Sequence, residues 1–289
     1  MVARLDHAVV VTGASTGIGR AAVAEAARNG AHVFPSVRRA ADATSLKAEF
    51  RDAVTPLVFD VVDEDAILAG ADEVAHALGD RRLFGLVNNA GLAVPGPLLH
   101  LTAEDLQRQL DVNLIGVHRV TRAFAPLLGA DPQRSGPPGR IVMISSVGGQ
   151  NGLPFVGAYN ASKFALEGYS QALRRELMLY EIDVIVVAPG AIATPIWDKA
   201  DEQELAKFAD TPYAPMLPGV RDYMVSNGKQ GLDPRDVGAL IWRCLTLAHP
   251  KVRYTIAKRP FMDVILPRLA PPRMVDRVVA QRLGFPSRA

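Results

Sequence analysis

The amino-acid sequence predicts an α/β fold, a doubly wound parallel β-sheet with helices on both of its faces. Short apolar runs recur along the chain, and segments with a helical pattern lie between them. Most of these runs are almost continuously apolar, which is typical of strands in a sheet buried on both faces. Because strands and helices alternate, the connections should be right-handed crossovers between parallel strands.

The predicted elements follow one another in a regular order. The strands are HAVVVTG from residue 7, AHVFPSV from 31, TPLVFDV from 55, LFGLVNNAG from 83, GRIVMISS from 139, IDVIVVAPG from 182 and VRYTIA from 252. Helices are predicted at RAAVAEAARNG from residue 20, over residues 102–128 and at AYNASKFALEGYSQALRRELMLY from residue 158. The first helix should end at Gly30, because glycine commonly follows the last residue of a helix.

Composition bounds the class of protein. The 289 residues are 49% hydrophobic, which suits one large α/β domain with a modest extension. No stretch approaches the roughly 18 consecutive apolar residues of a membrane span and no cleavage signal follows the N-terminus, so we expect a cytoplasmic protein. Cys244 is the single cysteine and the six histidines are scattered, so neither a disulfide nor a metal site is expected.

Charge is balanced overall but uneven along the chain. The net charge of +2 at pH 7 does not favour nucleic acid as a partner. From Pro250 onward, however, nine basic residues face two acidic ones. The C-terminal part therefore has a distinct, basic character.

A glycine-rich turn, TGASTGIG, follows the first strand and opens the first helix. Its glycines permit a tight turn, close approach of backbone to a pyrophosphate and close helix packing, while free N–H groups at a helix start attract anions. This context predicts a Rossmann-type dinucleotide site rather than a glycine-rich turn without a ligand. The cofactor contacts predicted in this turn are Gly13, Ser15, Thr16, Gly17, Ile18 and Gly19.

The end of the second strand favours NADP(H) over NAD(H). A site selective for NAD(H) usually has an acid there to hold the ribose hydroxyls, but this sequence has Val37. Arg38 and Arg39 follow at once, and arginine favours the 2′-phosphate of NADP(H). Arg38 is the better candidate of the two, and the alternative is that both are solvated loop charges.

The ends of the third and fourth strands carry further candidate cofactor contacts. Asp60, followed by Val61, could accept a hydrogen bond from the adenine amine, with a structural turn acid as the alternative. In NNAG, Ala90 and Gly91 are small enough to let a nucleotide pass. Asn88 and its neighbour can tie backbones together, and Asn88 is expected to be partly structural and partly cofactor-facing.

YNASK, residues 159–163, places a tyrosine and a lysine on one face of a helix. A free tyrosine has a pKa of about 10, and a nearby ammonium should lower that pKa towards the working range. Ser146 closes the fifth strand, where its hydroxyl could hold a carbonyl oxygen against the Tyr159 hydroxyl, while Ser145 should point to the opposite face. We therefore predict that Tyr159 and Lys163 form a tunable proton donor.

Six features occur in the order typical of the classical short-chain dehydrogenases/reductases. They are TGASTGIG, NNAG, DVNLIG, a serine thirteen residues before the tyrosine, YNASK and APGAIAT. The sequence resembles this family over about residues 5–195. A narrower resemblance, to the retinol and steroid dehydrogenase-like branch, is carried by VFPSVRR, by RY in HPKVRYTIA and by LPRLAPPRMVDRVVAQRLG.

The family resemblance implies roles for individual residues. Tyr159 would be the catalytic acid/base, Lys163 would bind the nicotinamide ribose and lower the tyrosine pKa, and Ser146 would position the substrate carbonyl. Asn113 would bind a water that links Lys163 to solvent, with a helix–helix hydrogen bond as the alternative. The loop after the sixth strand would hold the carboxamide and pyrophosphate through Pro189, Gly190, Ile192 and Thr194.

The residues and the resemblance together predict an NADP(H)-dependent oxidoreductase. Hydride would pass between the nicotinamide and a carbonyl or alcohol carbon, while Tyr159 moves the proton. The expected substrate is a small molecule that is bulky and apolar, of retinoid, steroid or lipid kind. The alternative is a catalytically weak, NADP-sensing regulatory protein on the same fold. The family also implies a homodimer or homotetramer, with helices near 102–128 and 158–180 paired across subunits.

The catalytic domain is expected to span residues 1–260. Within it, the insertion 194–231 is predicted to be a substrate lid, and a surface excursion with its own small core is the alternative. The candidate substrate contacts in this insertion are Ile196, Trp197, Tyr213 and Met216.

Residues 261–289 are predicted to form a basic, amphipathic C-terminal extension. Its apolar residues Met274, Val275, Val278 and Val279 lie at helical spacing among arginines. Such a helix could lie on an anionic membrane surface, which would make the protein peripherally membrane-associated. Alternatively, it could pack over the substrate pocket of its own chain or on a partner subunit.

Overall fold

The computed structural model describes residues 4–193 and 206–286, and within them the sheet has seven parallel strands. These are β1 (Arg4–Val11), β2 (Ala31–Val37), β3 (Leu57–Val58), β4 (Gly85–Asn88), β5 (Arg140–Ile144), β6 (Asp183–Pro189) and β7 (Arg253–Ile256). Their order in the sheet is β3-β2-β1-β4-β5-β6-β7. The chain therefore moves outward from β1 in one direction and from β4 in the other, which confirms the doubly wound fold and puts its switch point between these strands.

Helices cover both faces of the sheet. They are α1 (Gly17–Arg28), α2 (Ala40–Phe50), α3 (Glu64–Leu78), α4 (Ala103–Leu110), α5 (Gly116–Ala125), α6 (Gly157–Glu176), α7 (Leu217–Gln230), α8 (Pro234–Thr246), α9 (Leu266–Leu269) and α10 (Pro272–Leu283). The predicted first helix corresponds to α1, which ends at Arg28 and is followed by the C-cap residue Asn29 and by Gly30 with φ 82°.

The hydrophobic core forms two layers because strand side chains alternate. In β1, Val9 and Val11 face the layer that contains α1 and α8, whereas Ala8 and Val10 face the layer that contains α3 and α5. Both layers are fully buried at the centre of the sheet, as the near-continuous apolar strands predicted.

The helix predicted over residues 102–128 is broken by π-helical turns. A turn over Asp111–Ile115 separates α4 from α5, and a second over Pro126–Ala130 ends α5. Single π-turns within helices often occur at functional sites. Here the first turn carries Asn113, whose side chain is fully buried.

The C-terminal extension packs against α7 and the segment before it in its own chain. Leu283 of α10 packs with Val220 of α7 and with Phe155, and Tyr213, Met216 and Phe285 pack around them. One face of α10 is therefore packed on residues of its own chain. In the part of the chain that the structure describes, no helix has the length and apolar character to cross a membrane.

Close packing of α1 on α8 gives a test of the fold. Gly238 is buried in α8, and a Cβ atom there would lie 2.7 Å from the Ala21 carbonyl oxygen of α1. We expect Gly238→Ala to lower the free energy of unfolding by about 1–3 kcal/mol, because the two helices must move apart. Urea denaturation measures this. Gly219→Ala is the control: its nearest atom would be 3.9 Å away, so a change above about 1 kcal/mol there would contradict the packing argument.

Candidate active site

The candidate site residues gather at the carboxyl ends of the strands, beside the switch point. The turn after β1, the ends of β2, β4 and β5, and the start of α6 all meet there. Crevices in open α/β sheets lie at this position because adjacent connections leave the sheet on opposite faces.

The glycine-rich turn is held by the end of β4. Gly13 has φ 64°, and a Cβ atom on it would lie 2.8 Å from the Ala90 Cα. The Asn89 amide donates to the carbonyl oxygens of Thr12 at 2.8 Å and Gly13 at 3.0 Å. A Cβ atom on Gly19 would meet the Gly13 carbonyl oxygen at 2.4 Å. Only glycine fits at these two positions, and Asn89, which the sequence analysis did not single out as a site residue, fixes the turn.

The start of α1 has the properties of an anion site. Its N-cap residue Thr16 makes no side-chain capping bond, and no acid lies in the first turn. The first N–H groups of a helix lack intrahelical acceptors and carry the positive end of the helix dipole. The turn from Gly13 to Gly19 therefore has the form of a pyrophosphate site, and the individual contacts named from the sequence stay predictions.

The two arginines after β2 have different surroundings. Arg39 makes two hydrogen bonds to the Asp42 carboxylate, at 2.9 and 3.0 Å. Arg38 is exposed and makes no hydrogen bond or ion pair among the described residues, although its charge helps to lower the pKa of the nearby Asp42 carboxylate. Val37 is buried and points away from solvent. The Arg38 guanidinium, unlike that of Arg39, therefore has its hydrogen-bond donors available for a ligand.

Three predicted contacts near the adenine end are more structural than expected. Asp60 accepts a hydrogen bond from the Val62 amide at 3.3 Å, so the turn role is seen and the adenine role stays a prediction. The Val61 side chain is buried against Gly116, so only its backbone is available to a cofactor. Asn88 has the structural part of its expected role: its buried amide donates to Thr121 at 3.0 Å and to the Met143 sulfur at 3.4 Å. Its side-chain oxygen has no hydrogen-bond partner among the described residues, and the cofactor-facing part of the role stays a prediction.

Tyr159, Lys163 and Ser146 come together where α6 crosses the end of β5. The Ser146 and Tyr159 hydroxyls are hydrogen-bonded. The Lys163 ammonium lies 5.7 Å from the Tyr159 ring centroid and donates to the Ile144 carbonyl oxygen at 2.7 Å. The buried Ser145 hydroxyl lies beside Gly149, near the α6 backbone at Lys163, and has no hydrogen-bond partner among the described residues.

The expectation that the Tyr159 pKa is lowered is wrong for the chain without a cofactor. Burial raises the pKa of Tyr159, and the Ser146 hydrogen bond opposes this rise only in part. A phenolate loses much of its hydration in such a site, and the lysine is itself desolvated. Burial lowers the pKa of Lys163 to about 8, although the Glu167 carboxylate acts in the opposite direction. Without a cofactor, the site therefore holds a protonated Tyr159 phenol beside a Lys163 ammonium that loses its proton more readily than that of a free lysine.

Asn113 belongs to a buried hydrogen-bond network. Its side chain accepts from the Leu92 amide at 2.9 Å and donates to the Leu92 carbonyl at 3.0 Å and to Ser162 at 3.1 Å. The helix–helix bond that the sequence analysis gave as the alternative is therefore present. Both amide donors are used, so the predicted water-binding role stays a prediction that would fall to the backbone of the π-turn.

Gln109 extends this network and was missed from the sequence. It is fully buried, accepts from the Val94 amide at 2.8 Å and donates to the Leu92 carbonyl at 2.8 Å. The Ser162 hydroxyl in turn donates to the Tyr159 carbonyl at 2.7 Å. Gln109 and Asn113 are four residues apart, so an amide pair on the buried face of a helix was the available clue.

Asn160 fixes the segment between Ser146 and Tyr159. Its amide donates to the Gly148 carbonyl at 2.8 Å, and its oxygen accepts from the Leu153 amide at 2.9 Å. Ser146 also accepts from the Gly148 amide at 3.0 Å. These bonds fix the chain between Ser146 and Tyr159, so Asn160 of YNASK has a structural role.

A buried ion pair lies one helical turn from Lys163. Glu167 is buried, and Arg253 of β7 donates to both of its carboxylate oxygens, at 3.1 and 3.2 Å. The pair joins α6 to the edge strand and holds a negative charge on the lysine side of the helix. Sequence gave no indication of this pairing, since the two residues are 86 positions apart.

The loop after β6 lies next to the same crevice. The Gly190 amide donates to the Ile256 carbonyl at 2.8 Å, and buried Ile192 pairs with Leu232. Pro189 is the last residue of β6. Thr194, Ile196 and Trp197 lie outside the described residues.

The remaining candidate substrate contacts, Tyr213 and Met216, lie beside Phe155. The Tyr213 and Phe155 ring centroids are 5.8 Å apart. Phe155 has φ 63°, a left-handed conformation that is costly for an aromatic residue, and its carbonyl accepts from Gly96 at 2.7 Å. Phe155, which precedes Tyr159 by four residues, thus belongs to an apolar cluster with Tyr213 and Met216. Within the described ranges, no cluster of histidine, cysteine and acidic residues has a metal-binding arrangement.

Comparisons with known proteins agree with this geometry. Residues 7–205 match the family model described as short chain dehydrogenase. The chain is 35% identical over 269 residues to the NADPH-dependent 3-dehydrocapnine reductase of Ornithobacterium rhinotracheale, covering 93% of this chain and 94% of that protein. It is 30% identical over 257 residues to the 3-ketodihydrosphingosine reductase of Bacteroides thetaiotaomicron, covering 89% of each. A short-chain dehydrogenase structure from Streptomyces avermitilis is similar with a TM-score of 0.73 at 28% identity, over 95% of this chain and 94% of that one.

The lysine environment gives a prediction that needs no substrate. We expect Lys163 to titrate near pH 8 in the chain without cofactor, as followed by the ¹³Cε chemical shift of labelled lysines. Glu167→Gln should lower this pKa further, because it removes the charge that favours the ammonium. Lys163→Met assigns the resonance, and thermal unfolding checks that the Glu167 variant remains folded. An unchanged midpoint in the folded variant would show that Glu167 does not act on Lys163.

Proposed function

The chain belongs to the short-chain dehydrogenase/reductase family, and on that premise we propose that it reduces the carbonyl group of a bulky apolar compound with NADPH. Membership makes it an enzyme that transfers hydride between NAD(P) and carbonyl or CH–OH groups. The observation that carries the proposal is the meeting of Tyr159, Ser146 and Lys163 beside a glycine turn that fits a dinucleotide. The regulatory alternative gains no support, since none of these three side chains has been replaced.

The proposed cofactor site uses the chain's own groups for each part of the dinucleotide. The turn from Gly13 to Gly19 would hold the pyrophosphate on the α1 N–H groups. Arg38 would pair with the 2′-phosphate, and the loop from Pro189 to Ile192 would border the nicotinamide end. When bound, NADPH would supply the hydride that reduces the carbonyl carbon.

The proposed proton chemistry rests on Tyr159. Ser146 holds the carbonyl oxygen of the substrate near the Tyr159 hydroxyl, which donates its proton to that oxygen as negative charge develops. A raised pKa keeps the phenol protonated, which suits donation in the direction of reduction. The Lys163 ammonium stabilises the phenolate that remains, and a proton returns to it along a path past Lys163 and the backbone of the π-turn that carries Asn113.

The preference for NADPH is supported by two independent facts. One relative, at 35% identity, is named as NADPH-dependent. In this chain, Val37 cannot accept hydrogen bonds from ribose hydroxyls, and the Arg38 guanidinium makes no hydrogen bond among the described residues at that strand end. An acid there would attract the ribose of NADH and repel a phosphate, and none is present at the strand end.

The substrate class is inferred from the wall of the crevice and from the relatives. Phe155, Tyr213 and Met216 pack in one apolar cluster, and Phe155 precedes Tyr159 by four residues. Two relatives are named for reduction of 3-dehydrocapnine and 3-ketodihydrosphingosine, so ketone reduction is the reaction we propose. We would screen 3-ketodihydrosphingosine, a retinoid aldehyde and a steroid ketone with NADPH. The described part of the insertion 194–231 would act as the substrate lid on a catalytic domain of residues 1–260.

A homodimer or homotetramer is proposed from the exposed faces of α4, α5 and α6. Leu106, Phe164 and the π-turn residue Ile115 are exposed there by 37–48%. Apolar side chains on these helices would be covered if the helices paired across subunits.

Cofactor selectivity is tested by removing one arginine at a time. We expect Arg38→Ala to raise the dissociation constant of NADPH by about tenfold to a hundredfold, the loss typical of a charge-assisted hydrogen bond, and to leave NADH binding unchanged. Fluorescence titration of both cofactors measures this. Arg39→Ala is the matched control, because its guanidinium is occupied by Asp42. Tighter binding of NADH than of NADPH by the wild type would contradict the proposed preference.

The proton donor is tested by Tyr159→Phe. We expect kcat for ketone reduction to fall by about 10²–10⁴-fold, because the hydroxyl that protonates the oxygen is lost. NADPH affinity should change little. Tyr169→Phe removes a hydroxyl from the same helix, where it contacts His118 instead, and should retain near wild-type kcat. Wild-type turnover in the Tyr159 variant would refute the assignment.

A further inference from the structure

A row of apolar side chains on the C-terminal extension faces solvent. It lies on the π-helical turn Phe261–Ile265 and on α9, which together form one short helical segment. Its members, here called the extension stripe, are 38–79% exposed: Phe261, Met262, Ile265, Leu266 and Leu269. Their spacing of about four residues puts them along one side of the segment. Five large apolar side chains exposed so close together indicate a surface that is covered in use.

The following helix, α10, has two apolar sides, and only one of them packs on the protein. Val279 and Leu283 contact the cluster around Phe155 and Val220. Met274 and Val278 are 58% and 50% exposed. The sequence analysis grouped Met274, Val275, Val278 and Val279 as one face, and the structure divides them. One side fastens the extension to the lid, and the other continues the apolar surface.

The same region carries unpaired positive charge. Arg268, Arg273, Arg277 and Arg282 are exposed, and among the described residues no ion pair or hydrogen bond is found for their guanidinium groups. Surface arginines elsewhere do have acidic partners, for example Arg39 with Asp42 and Arg122 with Glu64. Four exposed arginines beside exposed apolar side chains are complementary to a surface that has anionic groups on the outside and apolar groups beneath them.

A second copy of the chain fits this surface less well. A two-fold symmetric contact would bring each copy's arginines to the same patch on the other, and like charges at an interface are repulsive. An anionic lipid surface would neutralise them. We propose that the C-terminal extension docks the enzyme on an anionic membrane, with the extension stripe in the headgroup–acyl boundary and the arginines on lipid phosphates.

Docking at this surface would bring the bilayer close to the candidate active site. The Phe285 ring, just after α10, lies 6.0 Å from the Phe155 ring, which in turn contacts Tyr213. An apolar substrate could then pass from the lipid to the crevice with little exposure to water. This consequence rests on the proposed function, whereas docking itself does not.

The test is co-sedimentation of the full chain with vesicles, without substrate or cofactor. One vesicle preparation is phosphatidylcholine alone, and the other also contains phosphatidylglycerol. We expect binding to the anionic vesicles that weakens as salt is raised, and little binding to the neutral ones. Equal binding to both, or binding to neither, would overturn the proposal.

Two sets of variants separate the apolar and charged contributions. The double variant Phe261→Glu and Leu269→Glu should weaken anionic vesicle binding by at least about tenfold. Each of Arg268→Ala, Arg273→Ala and Arg277→Ala should weaken it by about fivefold at low salt. The control is Leu68→Glu with Leu179→Glu, which adds the same charge at positions 48% and 77% exposed on other elements and should bind as the wild type does.

Two outcomes would refute the proposal through these variants. One is vesicle binding by the stripe double variant that equals that of the control. The other is loss of a dimer by the stripe variant, seen in light scattering, from a wild type that binds no vesicles; the stripe would then be an interface between copies. Reduction of a water-soluble ketone without vesicles should be equal in the stripe variant and the wild type, so failure of docking and failure of the proposed activity are distinguishable.

Discussion

The bond from the Lys163 ammonium to the Ile144 carbonyl fixes α6 against the end of β5, and the candidate active site depends on it. Burying an ammonium is costly, and the carbonyl at 2.7 Å together with the Glu167 carboxylate one turn away offset part of that cost. Because Ile144 is followed by Ser145 and Ser146, the same contact sets the serine against Tyr159. A shift of the helix by one turn would separate all three groups.

Near this contact, buried side-chain amides take the place of water as hydrogen-bond partners for backbone that lies outside helices and strands. The segment after β4 leaves the sheet without regular pairing at Leu92 and Val94, and side chains of Gln109 and Asn113 satisfy its amide and carbonyl groups. Ser162 links these amides to the helix that carries Tyr159. The π-turn over Asp111–Ile115 carries the Asn113 amide, which is buried and hydrogen-bonded on both its oxygen and its nitrogen.

Local patterns predicted the strands, the glycine turn and the pairing of Tyr159 with Lys163, because each depends on residues close in sequence. They failed where the deciding partner is remote. The Asn88 amide bonds to Thr121, 33 positions away, and the pKa of Tyr159 depends on how much water the folded chain removes from it. The bond between Glu167 and Arg253 joins an interior helix to an edge strand, and no periodicity in either segment indicates it.

The extension shows the same limit in a helix. Periodicity identified Met274, Val275, Val278 and Val279 as apolar, but a helix with apolar residues at i and i+1 has two directions in which to bury them. The side of α10 that carries Val279 and Leu283 is the buried one, because these two side chains pack against Val220 and Phe155. Met274 and Val278 are left outward beside the arginines. An amphipathic helix that packs on the protein with one side can therefore still present an apolar, cationic surface with the other, because the two sides consist of different residues.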